Sequence, residues 1–142
     1  MPASARTAAV LVDTSVAVAL VVADHDHHED TFQALRGRTL GLAGHATFET
    51  FSVLTRLPPP ARRTPATITQ LLANTFPETR FLGARAAASL VALLGATGIA
   101  GGSVYDALVG ATANEHRLTL VTRDRRALEV YRKLEVDVEL LA

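Results

Sequence analysis

Val10-Leu11-Val12-Asp13-Thr14-Ser15 decides how this chain is read. An apolar run of strand character ends abruptly in a carboxylate and two hydroxyls. Open α/β sheets bind ligands at the carboxyl ends of their strands, so an acid at that point faces a cleft more readily than a core. Three further acids stand where a casual surface charge is unexpected. Glu49 lies within an apolar helical stretch, Asp106 near the start of another, and Asp124 just past a second strand-like run. Four carboxylates from distant parts of the chain point to a site for divalent metal.

The rest of the chain supplies strands and helices in alternation. Apolar runs at 9–12, 39–42, 118–122 and 136–140 read as strands, and 80–82 as a further short one. Helical periodicity covers about 15–22, 29–36, 45–57, 64–75, 84–95, 103–116 and 125–133. Pro58-Pro59-Pro60 stops the third of these, and Thr64-Pro65 opens the fourth as N-cap and first helical residue. Gly95 and Gly98 fall beyond the fifth. This pattern predicts an α/β fold. A mostly parallel central sheet of four to five strands would carry helices on both faces.

Composition sets limits. The chain has 142 residues, the size of one domain with one core, and a single domain over 1–142 is expected. Hydrophobic residues make up 49% and aromatic residues only 5%, with no Trp, so the core must be built from Ala, Leu and Val. The absence of Cys excludes disulfides and thiolate metal sites. It fits a reducing cytosol, the expected location. Residues 8–23 loosely mimic a secretory leader, but Asp13 interrupts the apolar stretch. No uninterrupted run reaches the roughly 18 residues of a membrane span. Net charge is zero, with 14 basic and 14 acidic residues. Neutralising the four candidate acids would leave 14 basic residues against 10 acidic ones. Thirteen of the basic residues are Arg, a side chain suited to bidentate phosphate contact.

Each acid also has a purely structural reading. Asp13 can cap the helix that follows it, although Thr14 and Ser15 could do so as well. Glu49 shares a helix face with His45, Ser52 and Val53, and can be a solvent-facing acid or the partner of His45. Ser103 and Asp106 have capping-box spacing, and the first turn of a helix favours an acid. Asp124 suits an N-cap or a strand-end ligand, with Thr122 placed to orient it. The acids are harder to dismiss together, because the ends of parallel strands face one side. Two charges about 4 Å apart repel by roughly 4 kcal/mol at an effective dielectric near 20. A cluster of four therefore calls for a cation, and an all-oxygen set suits Mg²⁺ or Mn²⁺.

With Leu11-Val12-Asp13-Thr14-Ser15, Phe48-Glu49-Thr50-Phe51-Ser52-Val53-Leu54-Thr55-Arg56, Tyr105-Asp106-Ala107-Leu108-Val109-Gly110-Ala111-Thr112-Ala113 and Leu120-Val121-Thr122-Arg123-Asp124 in this order, the chain resembles PIN-domain ribonucleases. More narrowly, it is similar to VapC-type toxins of bacterial toxin–antitoxin pairs. The resemblance implies a PIN-like fold in which Asp13, Glu49, Asp106 and Asp124 bind one or two Mg²⁺ or Mn²⁺ ions. Thr14, Ser15 and Thr122 would support them. It implies endonucleolytic RNA cleavage by a metal-activated water, a cognate antitoxin that blocks the site, and a homodimer or a complex with the antitoxin. The geometric corollary is that all four carboxylates converge within metal-bridging distance, with Asp13 near the centre. If Asp13 capped the next helix and faced away, the mechanism would lose its anchor.

Arg56, Arg62 and Arg63, and Arg123 with its neighbours to 126, are the best candidates for RNA phosphate contact. His25-Asp26-His27-His28 lies outside the acidic motif. It reads as a solvated loop, a Zn²⁺ or Ni²⁺ site, or the rim of the cleft. Two other functions compete. One is a catalytically silent binding module. The other is an aspartyl-phosphate phosphatase, which usually has an acid two positions after its nucleophile; here Ser15 stands there and the only Lys is Lys133. No base-reading element is visible, so the sequence names no RNA target.

Overall fold

A computed structural model describes residues 9–142. Of the leader-like stretch at 8–23, Ala8 lies outside the described residues, and the rest carries a strand and a helix. The chain runs β1 (Val10–Val12), α1 (Thr14–Val21), α2 (His28–Leu35), β2 (Leu40–Leu42), α3 (His45–Thr55), α4 (Pro65–Thr75), α5 (Ala84–Thr97), α6 (Ser103–His116), β3 (Leu120–Thr122), a 3₁₀ turn (Arg125–Ala127), α7 (Leu128–Lys133) and β4 (Val138–Leu140). The four strands form one sheet in the order β2-β1-β3-β4. Every pairing is parallel, with Val12 opposite Leu42 on one side and Val121 on the other. The expected α/β sheet is thus present, and wholly parallel.

Successive strand residues point to opposite faces, and the core divides accordingly. Leu11 and Leu120 pack with Ala107, Val109, Leu128 and Tyr131 on one face. Val10, Val12 and Val121 pack with Val16, Ala17, Ile68 and Leu72 on the other. β1, β2 and β3 are buried along their whole length, as strands covered on both faces must be. β4 is the half-buried edge. No helix among the described residues is long and apolar enough to cross a membrane.

Several expected boundaries shift. The segment at 80–82 is not a full strand: only Arg80 bridges, to Ala43 at the edge of β2. That close approach requires Gly41, where a Cβ would run into the Glu78 carbonyl. Thr64 caps α4 with Pro65 in its first turn, as the sequence indicates. Gly95 lies inside α5, and Gly98 alone supplies the left-handed C-cap, with φ +72°. Ser103 does not cap α6. It is already helical and Gly102 holds the N-cap position, so Asp106 has no capping box to complete.

Strand order places the site. From β1 the chain moves outward to β2, then returns to pair β3 on the opposite side of β1. The order reverses between β1 and β3, and open α/β sheets gather ligands at the carboxyl ends of strands where it does. Asp13 follows β1 and Asp124 follows β3 at that point.

Candidate functional site

Asp13 is only 5% exposed, and protein donors surround its carboxylate. Oδ1 accepts from the Ser15 hydroxyl at 2.5 Å and from the Val16 N–H at 3.3 Å. Oδ2 accepts from the Thr122 hydroxyl at 2.5 Å and from the Tyr131 hydroxyl at 3.0 Å. Four donors match the roughly four acceptor sites of a carboxylate. Burial pushes the Asp13 carboxyl above its usual range, against the pull of those four bonds. The Val16 bond makes Asp13 the N-cap of α1. The sequence set capping against a place among the other acids, and Asp13 caps α1 while also lining the cavity described below. One oxygen faces the start of α1, and the other faces Thr122 and Tyr131.

The hydroxyls extend this arrangement outward. Ser15 Oγ donates to Asp13 and accepts the Arg123 N–H at 3.0 Å. Thr122 Oγ1 donates to Asp13 and accepts the Asp124 N–H at 3.0 Å, so it orients Asp124 through the backbone. Thr14 Oγ1 donates to Glu49 Oε1 at 3.3 Å. His45 does not hydrogen-bond Glu49: its Nε2 stands 4.0 Å from Oε1, and its ring stacks on Tyr105 at 4.9 Å. Asp124 caps the 3₁₀ turn through the Arg126 N–H and lies 3.7 Å from Arg126 Nε.

The four acids line one cavity of about 90 Å³, together with Thr14, Ser15, Val109 and Tyr131. Among the described residues, no Lys or Arg lines it. Asp106 registers the consequence. Burial first, then the charges of Asp124, Asp13 and Glu49, raise its carboxyl to about 6, with Arg126 opposing. Burial first, then Asp13 through its charge and hydrogen bond, then the charges of Asp106 and Asp124, push the Tyr131 hydroxyl well up, so it remains a donor. An all-oxygen, net-negative donor set of this kind fits Mg²⁺ or Mn²⁺, and the space exceeds that of a single water.

The expected convergence to metal-bridging distance is not met. Among the described residues, no three His, Asp or Glu groups stand close enough together to hold an ion. The acids share a cavity without a preassembled coordination sphere.

The remaining candidates divide. Arg123 lies beside Asp124, donating to the Thr31 hydroxyl at 3.4 Å and to the Ala142 carbonyl at 2.9 Å. Arg56 bonds Ser52 and Arg62 bonds the Leu57 carbonyl, while Arg63 lines a separate apolar cavity with Leu54 and Leu57. His28 turns away to the Ala19 carbonyl, whereas His25 and His27 face the cleft beside Arg123. The phosphatase reading loses ground. The only Lys, Lys133, stands on α7 with Glu129 at 3.6 Å and is not among the residues lining the acidic cavity.

Sequence reasoning passed over two residues. Tyr131 sits within an ordinary amphipathic helix, and only its contact with Asp13 gives it meaning. Tyr105, next to Asp106, is 52% exposed over His45. Its place beside a candidate acid was the available signal.

Comparisons with known proteins agree with this geometry. The profile of the PIN domain family matches residues 10–133. Ribonuclease VapC27 of Mycobacterium tuberculosis is 44% identical over 131 residues, which cover 92% of this chain and 96% of that protein. Ribonuclease VapC40 of Mycobacterium tuberculosis is 45% identical over 130 residues, 91% of this chain and 96% of that protein. Two solved structures share the fold. One is VapBC2 of Rickettsia felis bound to a DNA fragment from its promoter, with TM-score 0.67, 16% identity, and coverage of 94% of this chain and 99% of the other. The other is VapC20 of Mycobacterium tuberculosis, a sarcin-ricin loop cleaving toxin, with TM-score 0.65, 18% identity, and coverage of 84% and 93%. With the acids gathered at the switch point of a parallel sheet and this likeness along nearly its whole length, the chain belongs to the PIN domain family.

Proposed function

We propose that this chain is a metal-dependent endoribonuclease and the toxin component of a toxin–antitoxin pair. One observation carries the reading: four carboxylates from distant parts of the sequence line a single cavity that, among the described residues, no Lys or Arg enters. The relatives named as ribonucleases support it, over nearly the full length of both chains.

Asp13, Glu49, Asp106 and Asp124 would hold one or two Mg²⁺ or Mn²⁺ ions. When bound, such an ion neutralises the cluster, acidifies water and stabilises charge at a phosphoryl oxygen. The protein's own groups supply the positioning. Ser15, Thr122 and Tyr131 fix the buried Asp13, and Thr122 carries that alignment to Asp124. Thr14 holds the half-exposed Glu49 toward the cavity. Water adds to phosphorus and one ester oxygen leaves, breaking the RNA chain. Arg123, beside Asp124, would meet substrate phosphate, and Arg56, Arg62 and Arg63 would be further phosphate contacts. A cognate antitoxin would inhibit by covering the cavity, and a homodimer is the assembly proposed for the toxin.

The test is RNA cleavage by purified protein freed of antitoxin, with Mg²⁺ or Mn²⁺ and with chelator. Cleavage is expected with metal only. Asp13→Asn and Asp106→Asn are expected to lower it by about 100-fold or more, beyond what disturbing an outer-shell partner costs. Absence of cleavage with either ion would overturn the reading, and Asn variants as active as wild type would overturn the site.

A further inference from the structure

A second cavity adjoins the acidic one and has the opposite character. It measures about 590 Å³, within the range of small-ligand pockets. Thr14, Ser15 and Asp124 line both cavities and form the partition between them. On the acidic side stand four carboxylates. On the other stand Arg123, Arg125 and Arg126 with His25 and His27, and Asp124 is the one acid. Arg125 and Arg126 are exposed, with Arg126 Nε 3.7 Å from Asp124 Oδ1. Arg123 is partly committed, to Thr31 and the chain end. His25 and His27 lie close together, with ring centroids 5.8 Å apart and the His27 N–H donating to His25 Nδ1.

We infer that this basic cavity is the seat of the ribose–phosphate unit flanking the scissile phosphate of a single-stranded RNA. This inference rests on the nuclease reading for the identity of its ligand. The argument is charge and continuity. An RNA phosphodiester drawn to the acidic cavity by a cation needs its neighbouring phosphate, also anionic, to lie outside the acids. This cavity is cationic and shares Thr14, Ser15 and Asp124 with the acids. Guanidinium groups bind phosphate through paired N–H donors and stack on bases. The imidazoles add donors and a flat surface for an unstacked base. This assigns His25 and His27 to the substrate path, and leaves His28 to tie α2 to α1.

The experiment measures fluorescence anisotropy of a labelled mixed-sequence single-stranded RNA of about 12 nucleotides, a length that spans one binding groove. The full chain carries Asp13→Asn so that the probe survives, and binding is followed across a salt series. Arg125→Ala and the pair His25→Ala/His27→Ala are the test variants. Arg85→Ala, on α5 beside Glu115 and away from the cleft, controls for loss of one positive charge. Arg125→Ala is expected to weaken binding about 3- to 10-fold near 0.1 M salt and to reduce the slope of log Kd against log salt by about 0.7, one single-strand phosphate contact. The histidine pair is expected to weaken binding with less change in slope, and Arg85→Ala to change neither. Wild-type affinity and slope in Arg125→Ala, or an equal loss in Arg85→Ala, would overturn the proposal. So would variants that keep RNA binding but lose the antitoxin, which would make the cavity a peptide groove. Wild-type cleavage of RNA tests the nuclease reading separately. If cleavage fails, the same titration without Asp13→Asn still decides whether this cavity binds RNA.

Discussion

Asp13 is a buried acid whose four acceptor sites all receive neutral donors. What replaces it is therefore decided by which donors can reverse. On the Oδ2 side both partners are hydroxyls, Thr122 and Tyr131, which can rotate to accept. On the Oδ1 side the Val16 N–H cannot. Asp13→Asn can place its carbonyl toward Val16 and its amide toward the hydroxyls, and it sheds the cost of burying charge. Asp13→Ala leaves the donors without an acceptor, at about 1–3 kcal/mol for each one that water does not reach. Denaturant unfolding at neutral pH should show Asp13→Asn at least as stable as wild type, and Asp13→Ala less stable than Asp13→Asn by about 2–4 kcal/mol. Equal midpoints for the two variants would show that the donors are not held by this carboxylate. The acid itself was legible in the sequence, because a charge at the end of an apolar strand is conspicuous. Its donor set was not. Ser15 is a near neighbour, but Thr122 and Tyr131 lie 109 and 118 residues away.

At the scale of elements, the site depends on how closely α6 approaches α7. Gly110 sits on α6 facing α7, and a Cβ there would meet Val136 Cγ2 at 3.0 Å and Tyr131 Cδ1 at 3.2 Å. Both distances are tight, so Gly110→Ala must displace one or both neighbours. Overpacking of this kind costs about 1–3 kcal/mol, and here it pushes Tyr131 away from Asp13. Gly110→Ala is expected to lower the melting temperature and to weaken Mn²⁺ binding measured by calorimetry. Ala111→Ser, at a half-buried position of the same helix, should leave metal binding near wild type. If Gly110→Ala binds Mn²⁺ as tightly as wild type, Tyr131 does not position Asp13. The glycine was visible in the sequence as a small residue on a helix that packs closely. Its partners were not visible: the structure sets it against Tyr131, Leu134 and Val136. Strand 80–82 failed for a related reason. Its residues have strand character, but only Arg80 comes into register beside β2.

For the whole molecule, equal numbers of acids and bases conceal a divided surface, with carboxylates in one cavity and guanidiniums in the next. The acidic side ties stability to pH. Asp106 titrates near 6 in the folded protein and near 3.8 when free of its surroundings. Between those values the native state holds a proton that the unfolded chain has released, so stability falls as pH rises through that window. Asp13, also raised, acts in the same direction. Asp106 is half-exposed and solvent screens its share. The metal-free protein should lose about 2–4 °C of melting temperature between pH 4 and 7, as a domain of this size does for roughly 1 kcal/mol. Mn²⁺ takes the proton's place, so its stabilisation should grow across the same range. A melting temperature flat in pH, or an Mn²⁺ effect largest at pH 4, would contradict the clustering of charge.

The sequence by itself determined the alternation of strands and helices, because Val and Leu runs, Pro stops and Gly ends act over a few residues. It also determined which acids are out of place. Only the tertiary structure decided that β1 and β3 are neighbours, which brings Asp13 beside Asp124. It also decided that Asp13 caps α1 while lining a cavity with Glu49, Asp106 and Asp124, that Tyr131 is its partner, and that the basic flank is built from His25, His27 and 123–126. Strand order and helix packing bring together residues far apart in the chain, and no local pattern records which distant groups will meet.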